Sequence, residues 1–233
     1  MPFFYWDPTY ILILIGLAIS GIASSYVKKT YTTYSKVRSQ RGQTATEVCR
    51  DILDTAGLQN VKIEPIRGNL TDHYSSQEKV LRLSDSTRNS TSVAAIGVAA
   101  HEAGHALQDK ESYIPLRLRA SLVPITTFGQ GVSYPLILAG VLFGGNSFLI
   151  NTGLLLFTST LIFQLVTLPV EFNASNRAIA ILEEQRLLTP EELPHAEKVL
   201  KAAALTYIAA AVASFLNVLR LFLLFGDSNR RRR

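Results

Sequence analysis

The chain has 233 residues, enough for one or two domains, and a formal net charge of +5. Hydrophobic residues make up 48% and charged residues 18%, an oily balance for a soluble domain. Its single cysteine, Cys49, excludes a disulfide framework and a multi-cysteine zinc site. The basic clusters flank apolar stretches and show no aromatic interleaving, so no nucleic-acid partner is expected.

The first apolar block covers residues 10–27, "YILILIGLAISGIASSYV", and contains no charge. A bilayer core about 30 Å thick needs about 20 apolar residues of helix, so the block is near spanning length. A cleaved signal peptide would carry a basic segment ahead of it. The nine residues before it hold Asp7 and no Lys or Arg. The basic residues Lys28, Lys29, Lys36, Arg38 and Arg41 follow it instead, which predicts a retained anchor with the following segment in the cytoplasm.

Residues 28–120 then form a soluble insertion. In residues 44–57, "TATEVCRDILDTAG", Val48, Ile52 and Leu53 share one helical face. Thr44 and Glu47 have capping-box spacing, and Gly57 supplies a stop. Cys49 is expected there as a small buried apolar residue. "VKIEPI" at 61–66 and "KVLRLS" at 79–84 alternate apolar and polar residues, as strands do. The intervening "RGNLTDHYSSQE" reads as a turn region. A helix follows, starting near Ser90–Ser92 with a hydroxyl cap and running to about Lys110. Its many Ala and Gly residues let other elements pack close.

Two more uncharged blocks, 121–145 and 147–170, are joined by a short link around Gly145. The positive-inside rule turns that link outside and places 28–120 and 171–201 in the cytoplasm. A fourth block, 202–225, is interrupted by Arg220. If it spans, the terminal Arg230–Arg233 lies outside, against the rule. A hairpin, or a tilted helix with Arg220 snorkelling to the head groups, would avoid that conflict.

The chemistry gathers in "VAAHEAGHALQD" at 98–109. His101 and His105 lie four apart, so on a helix both imidazoles point to one side. A zinc bound there would acidify a water, and Glu102, about 100° round the helix, is placed to take its proton. A Glu and two His on an Ala/Gly-rich buried helix would be costly without a metal or partners. Catalytic zinc sites take three protein ligands. No third histidine follows His105 at close spacing, and only His73 and His195 remain. His195, in "TPEELPHAEK", reads as solvated. A carboxylate is the better candidate. Glu171 abuts the third apolar block, where it is either a metal ligand or an interfacial residue paired with Arg177. The residues alone weigh these two readings evenly.

The combination of "LTDHY", "KVLRLS", "AAHEAGHALQ", "LPVEFNASNRAIAIL" and "KVLKAAALTYIAAAVASFLNVLRL" resembles the bacterial membrane zinc metallopeptidases of the YugP type. It is more distantly similar to membrane proteases of the HtpX and CaaX prenyl-protein processing type. The resemblance implies that Glu171 is the third zinc ligand and Ala174 the small residue of an E-x-x-A motif. In those relatives an Asp follows that Ala and supports a zinc histidine; here Ser175 stands there and supplies no charge. Asn173 likewise replaces an acidic residue expected in close relatives. The resemblance also draws attention to Asp72, His73 and Tyr74. Turn chemistry, with Asp72 capping and His73 solvated, is the favoured reading of them. In the other reading, His73 or Tyr74 polarises a scissile carbonyl, or the adjoining strand pairs with an extended substrate.

The expected fold is mainly α: multi-pass membrane helices with a small cytoplasmic α+β zincin-like unit carrying the HExxH helix, the whole forming one membrane-embedded domain over 1–233. The expected function is a zinc-dependent endopeptidase of the cell membrane with one Zn2+, Glu102 as general base and a polypeptide substrate. The alternative is a non-proteolytic membrane protein with a structural or regulatory zinc.

Overall fold

The computed structural model describes residues 7–225, so the Arg230–Arg233 tail lies outside the described residues. In chain order the elements are α1 (Tyr10–Tyr34), α2 (Ala45–Thr55), β1 (Lys62–Ile66), β2 (His73–Ser75), β3 (Val80–Ser84), α3 (Val93–Lys110), α4 (Ile114–Leu142), α5 (Ser147–Glu184) and α6 (Leu193–Phe225). They divide between two compact units.

One unit takes in Ser24–Arg117 and Pro169–Leu205. The Thr44–Glu47 capping box forms as expected: the Thr44 side chain accepts from the Glu47 amide, and the Glu47 carboxylate accepts from the Thr44 amide at 2.7 Å. The helix ends at Thr55, and Gly57 takes the left-handed conformation (φ +71) that terminates it. Ser92 caps α3 by accepting from the Ala95 amide, and α3 ends at Lys110. The sheet has order β1-β3-β2, with β1 parallel and β2 antiparallel to β3.

Strand β2 lies inside the segment expected to be only a turn. Three residues carry too little alternation to announce a strand. The Asp72 carboxylate holds it, accepting from the Ser84 amide (2.7 Å), the Ser84 hydroxyl (2.9 Å) and the Thr87 hydroxyl (3.1 Å). Asp72 therefore clamps the end of β3 rather than merely capping a turn. The core of this unit joins Val48, Cys49, Ile52 and Leu53 of α2 to Leu81 and Leu83 of β3, Ile96 and Ala100 of α3, and Leu182 and Leu200.

The other unit comprises, among the described residues, 7–23, 118–168 and 206–225. Helices α4 and α5 meet closely there because a glycine on one helix faces the other at each contact. A Cβ on Gly129 would fall 2.8 Å from the Leu156 carbonyl oxygen, and one on Gly153 would fall 2.8 Å from that of Ser133. Ile137, Ile150, Leu154, Phe157, Val218 and Leu221 form its small core.

The four helices α1, α4, α5 and α6 are each long and apolar enough to cross a membrane. Three run well beyond their apolar blocks: α1 to Tyr34, α5 to Glu184, and α6 from as early as Leu193. Apolar composition marks only the part suited to lipid, whereas the backbone hydrogen bonds continue wherever no breaker intervenes. Pro124, Pro135 and Pro169 are accommodated inside α4 and α5. Helix α6 is continuous, so the fourth block is not a hairpin. Arg220 does not reach outward: its side chain is 12% exposed, its guanidinium lies 4.4 Å from the Tyr10 ring centroid, and it approaches Asp7 at 3.9 Å.

Candidate metal centre

Helix α3 presents His101 and His105 one turn apart, their rings edge to face at 4.7 Å between centroids. Across from them runs α5, unbroken through Pro169, which puts Glu171 and Ser175 four residues apart on one face. The two helices can touch because Gly104 lies against Ala174: a Cβ on Gly104 would fall 2.7 Å from the Ala174 carbonyl oxygen. The glycine inside HEAGH and the alanine inside EFNA are thus one backbone contact. It brings a side chain as short as glutamate within reach of both histidines.

Glu171 Oε2 lies 3.2 Å from His101 Nε2 and 3.6 Å from His105 Nε2. One ligand atom from each of the three residues falls within 4.8 Å of the others. Ligands at about 2.0–2.1 Å from a tetrahedral zinc stand about 3.4 Å from one another, so both measured separations suit such an ion. The donor set, two imidazoles and one carboxylate, also suits zinc. Glu171 is 2% exposed, which removes the reading of a water-facing interfacial residue. Its supposed partner is engaged elsewhere. Arg177 forms a two-pronged bond to Glu111 (2.8 and 2.6 Å) and donates from Nε to Asn173 Oδ1 at 2.7 Å.

Glu102 is 8% exposed and, among the described residues, its carboxylate makes no hydrogen bond or ion pair. Glu102 and Glu171 are thus two buried carboxylates close to His105. His105 registers this: burial alone disfavours its charged form, but the adjacent Glu171 and Glu102 outweigh burial and raise its pKa above the ordinary value.

Each histidine is backed at its other nitrogen. His101 Nδ1 lies 3.1 Å from the Ser175 hydroxyl, a contact that carries no charge. His105 Nδ1 lies 3.0 Å from Gln108 Oε1. Gln108 is fully buried and donates from Nε2 to the Val170 carbonyl (2.8 Å) and to Asn173 Oδ1 (2.9 Å). The sequence reading overlooked Gln108. Its signal was an amide three residues past His105, on the same helical face as both histidines.

None of the remaining candidates belongs to the cluster of His101, His105 and Glu171. His73 turns its Nδ1 to the Thr71 carbonyl at 3.0 Å and is half-buried. The Tyr74 hydroxyl donates to Asp109 at 2.7 Å, tying β2 to α3 one turn beyond His105. Burial and the Asp109 carboxylate push the Tyr74 phenol well above its usual pKa. His195 stacks on Tyr34 at 4.9 Å and is half-buried rather than fully solvated.

An HExxH helix facing a carboxylate from a second helix, in a chain with four apolar helices of spanning length, is the arrangement of a membrane protein with a candidate metal site. A family model described as "putative neutral zinc metallopeptidase" matches residues 9–226, nearly the whole chain. The chain belongs to that family. It is also 45% identical over 214 residues to a protein of Bacillus subtilis (strain 168) named "Putative membrane protease YugP", covering 92% of this chain and 95% of that one. No solved structure matches it.

Proposed function

We propose that the chain is an integral-membrane zinc endopeptidase in which His101, His105 and Glu171 hold one zinc ion and Glu102 is the general base. The observation that carries this reading is the convergence of the three ligand atoms within 4.8 Å, with Glu102 next to His101 on the same helix. When bound, zinc supplies a Lewis acid that acidifies water and polarises a carbonyl. Glu102 accepts the proton of the attacking water and passes it to the departing amine; its buried carboxylate, without a hydrogen bond among the described residues, suits both tasks. Ser175 and Gln108 keep the two imidazoles aimed.

An extended polypeptide binds along the outer edge of β2. That strand is paired on one side only, and Tyr74 fastens it to the catalytic helix. Pro65 and the charged Lys62 and Glu64 make the opposite edge, β1, a poorer partner for a strand. Lys28, Lys29, Lys36, Arg38 and Arg41 favour a cytoplasmic location for the site.

The test is cleavage of an unfolded polypeptide by the detergent-purified protein, with and without chelator. Glu102→Gln is expected to lower kcat by about 10²–10⁴-fold while retaining zinc. Undiminished cleavage would remove Glu102 from the mechanism. Zinc binding without cleavage in the wild type would leave the alternative of a structural or regulatory site. Because Cys49 is buried, a single cysteine placed at exposed Gln59 reports the sidedness of the site by thiol labelling in intact cells.

A further inference from the structure

The geometry points to Gln108 as a positioning residue. It holds the His105 imidazole in the form with its proton on Nδ1 and its lone pair on Nε2, and Asn173, Arg177 and Glu111 fix the orientation of Gln108 itself. The use made of Nε2 rests on the zinc reading above; the choice of tautomer does not.

A glutamine amide has a donor end and an acceptor end, and its neighbours decide which way it points. The fully buried Gln108 places one end 2.8 Å from the Val170 carbonyl, which can only accept, so that end is the NH2 group. Its second proton meets Asn173 Oδ1 at 2.9 Å. The orientation of Asn173 is in turn not free: Arg177 Nε, which can only donate, lies 2.7 Å from the same Oδ1. Glu111 grips both terminal nitrogens of Arg177. With each amide so oriented, Gln108 Oε1 is left facing His105 Nδ1 at 3.0 Å, and an amide oxygen only accepts. Nδ1 must therefore carry the proton. Nε2 lies 3.6 Å from the Glu171 carboxylate, beyond hydrogen-bond distance, so the closer Gln108 acceptor takes the proton and Nε2 keeps its lone pair.

His101 differs. Its Nδ1 meets the Ser175 hydroxyl, which donates or accepts with equal ease and selects no tautomer. The two histidines of one motif are thus unequally pre-organised, and His101 serves as an internal control for His105.

The chain holds four histidines, few enough for 15N-histidine NMR of the detergent-solubilised full-length protein. In metal-free wild type at alkaline pH, His105 is expected as the Nδ1–H form. Gln108→Leu should release it to a mixture and weaken zinc binding by about 10–100-fold in chelator competition. Asn173→Asp keeps an acceptor in place and should preserve the His105 signal, whereas Asn173→Leu should loosen it. Ser175→Ala should alter His101 and leave His105 unchanged. An Nε2–H form of His105 in the wild type overturns the proposal, and that measurement needs no variant to fold. An unchanged His105 signal in Gln108→Leu also overturns it. If the wild type shows the Nδ1–H form yet binds no zinc, the tautomer assignment stands and the zinc reading falls.

Discussion

The two compact units bury their residues by opposite rules. In the unit that holds the sheet, Ile52, Leu53, Leu81, Leu83 and Ile96 are fully buried. In the other unit Leu155 is 73% exposed, Phe128 62% and Leu138 59%. The first is what water demands, with apolar side chains gathered inside. The second is what lipid permits, since a hydrocarbon solvent does not drive apolar side chains inward. One chain thus carries a water-built part, where the proposed chemistry is concentrated, and a lipid-built part that supplies the membrane helices.

The contrast can be broken experimentally. The largest effect is expected at Glu171, which belongs by its contacts to the water-built unit although its helix also supplies a span. Glu171→Ala should abolish peptide cleavage. It should also weaken zinc binding by more than the about 10–100-fold typical of losing a residue behind a ligand, as read by chelator competition. Membrane extraction should be unchanged, and wild-type zinc affinity in this variant would remove Glu171 from the ligand set.

Next comes a matched pair of leucines. Leu83→Ala, in the fully buried core, should lower stability by about 2–5 kcal/mol, whereas Leu155→Ala should stay within about 0.5 kcal/mol. Denaturation in detergent measures both, and equal losses would mean that the two units do not follow different burial rules. Gly104→Ala should cost about 1–3 kcal/mol by overpacking. It should also weaken zinc binding, because the added methyl meets the Ala174 carbonyl rather than a movable side chain. A variant with unaltered zinc affinity would show that the close approach does not position Glu171. The smallest effect is expected at the cap of α2. Thr44→Ala should lower stability by about 1 kcal/mol in the same denaturation experiment without touching zinc.

How much of this was legible beforehand varies by residue. The capping box at Thr44–Glu47, the stop at Gly57, the cap at Ser92 and the pairing of His101 with His105 are relations within a few residues, so spacing reveals them. Strand β2 was missed because three residues display no period, and what holds it is Asp72 reaching Ser84 and Thr87 on a later segment. Arg177 was matched with Glu171 because they are near in sequence. It turns instead to Glu111, on the other side of the chain's apolar hairpin. Gln108 was passed over because an amide carries no charge, and its role depends on Val170 and Asn173, more than sixty positions away.

By itself the sequence determined the local matters. Four stretches are apolar enough to prefer lipid, three short patterns set α2, β1 and β3, and a helical period of four puts two histidines and a nearby glutamate on one buried helix. These follow from covalent spacing and side-chain polarity, which are properties of neighbours. Only the tertiary structure decided that Glu171 meets both histidines, that Ser175 and Gln108 back them, and that Gly104 and Ala174 touch. Those are distances between α3 and α5, set by which side chains are small enough to let two backbones approach, and no reading along one segment contains them.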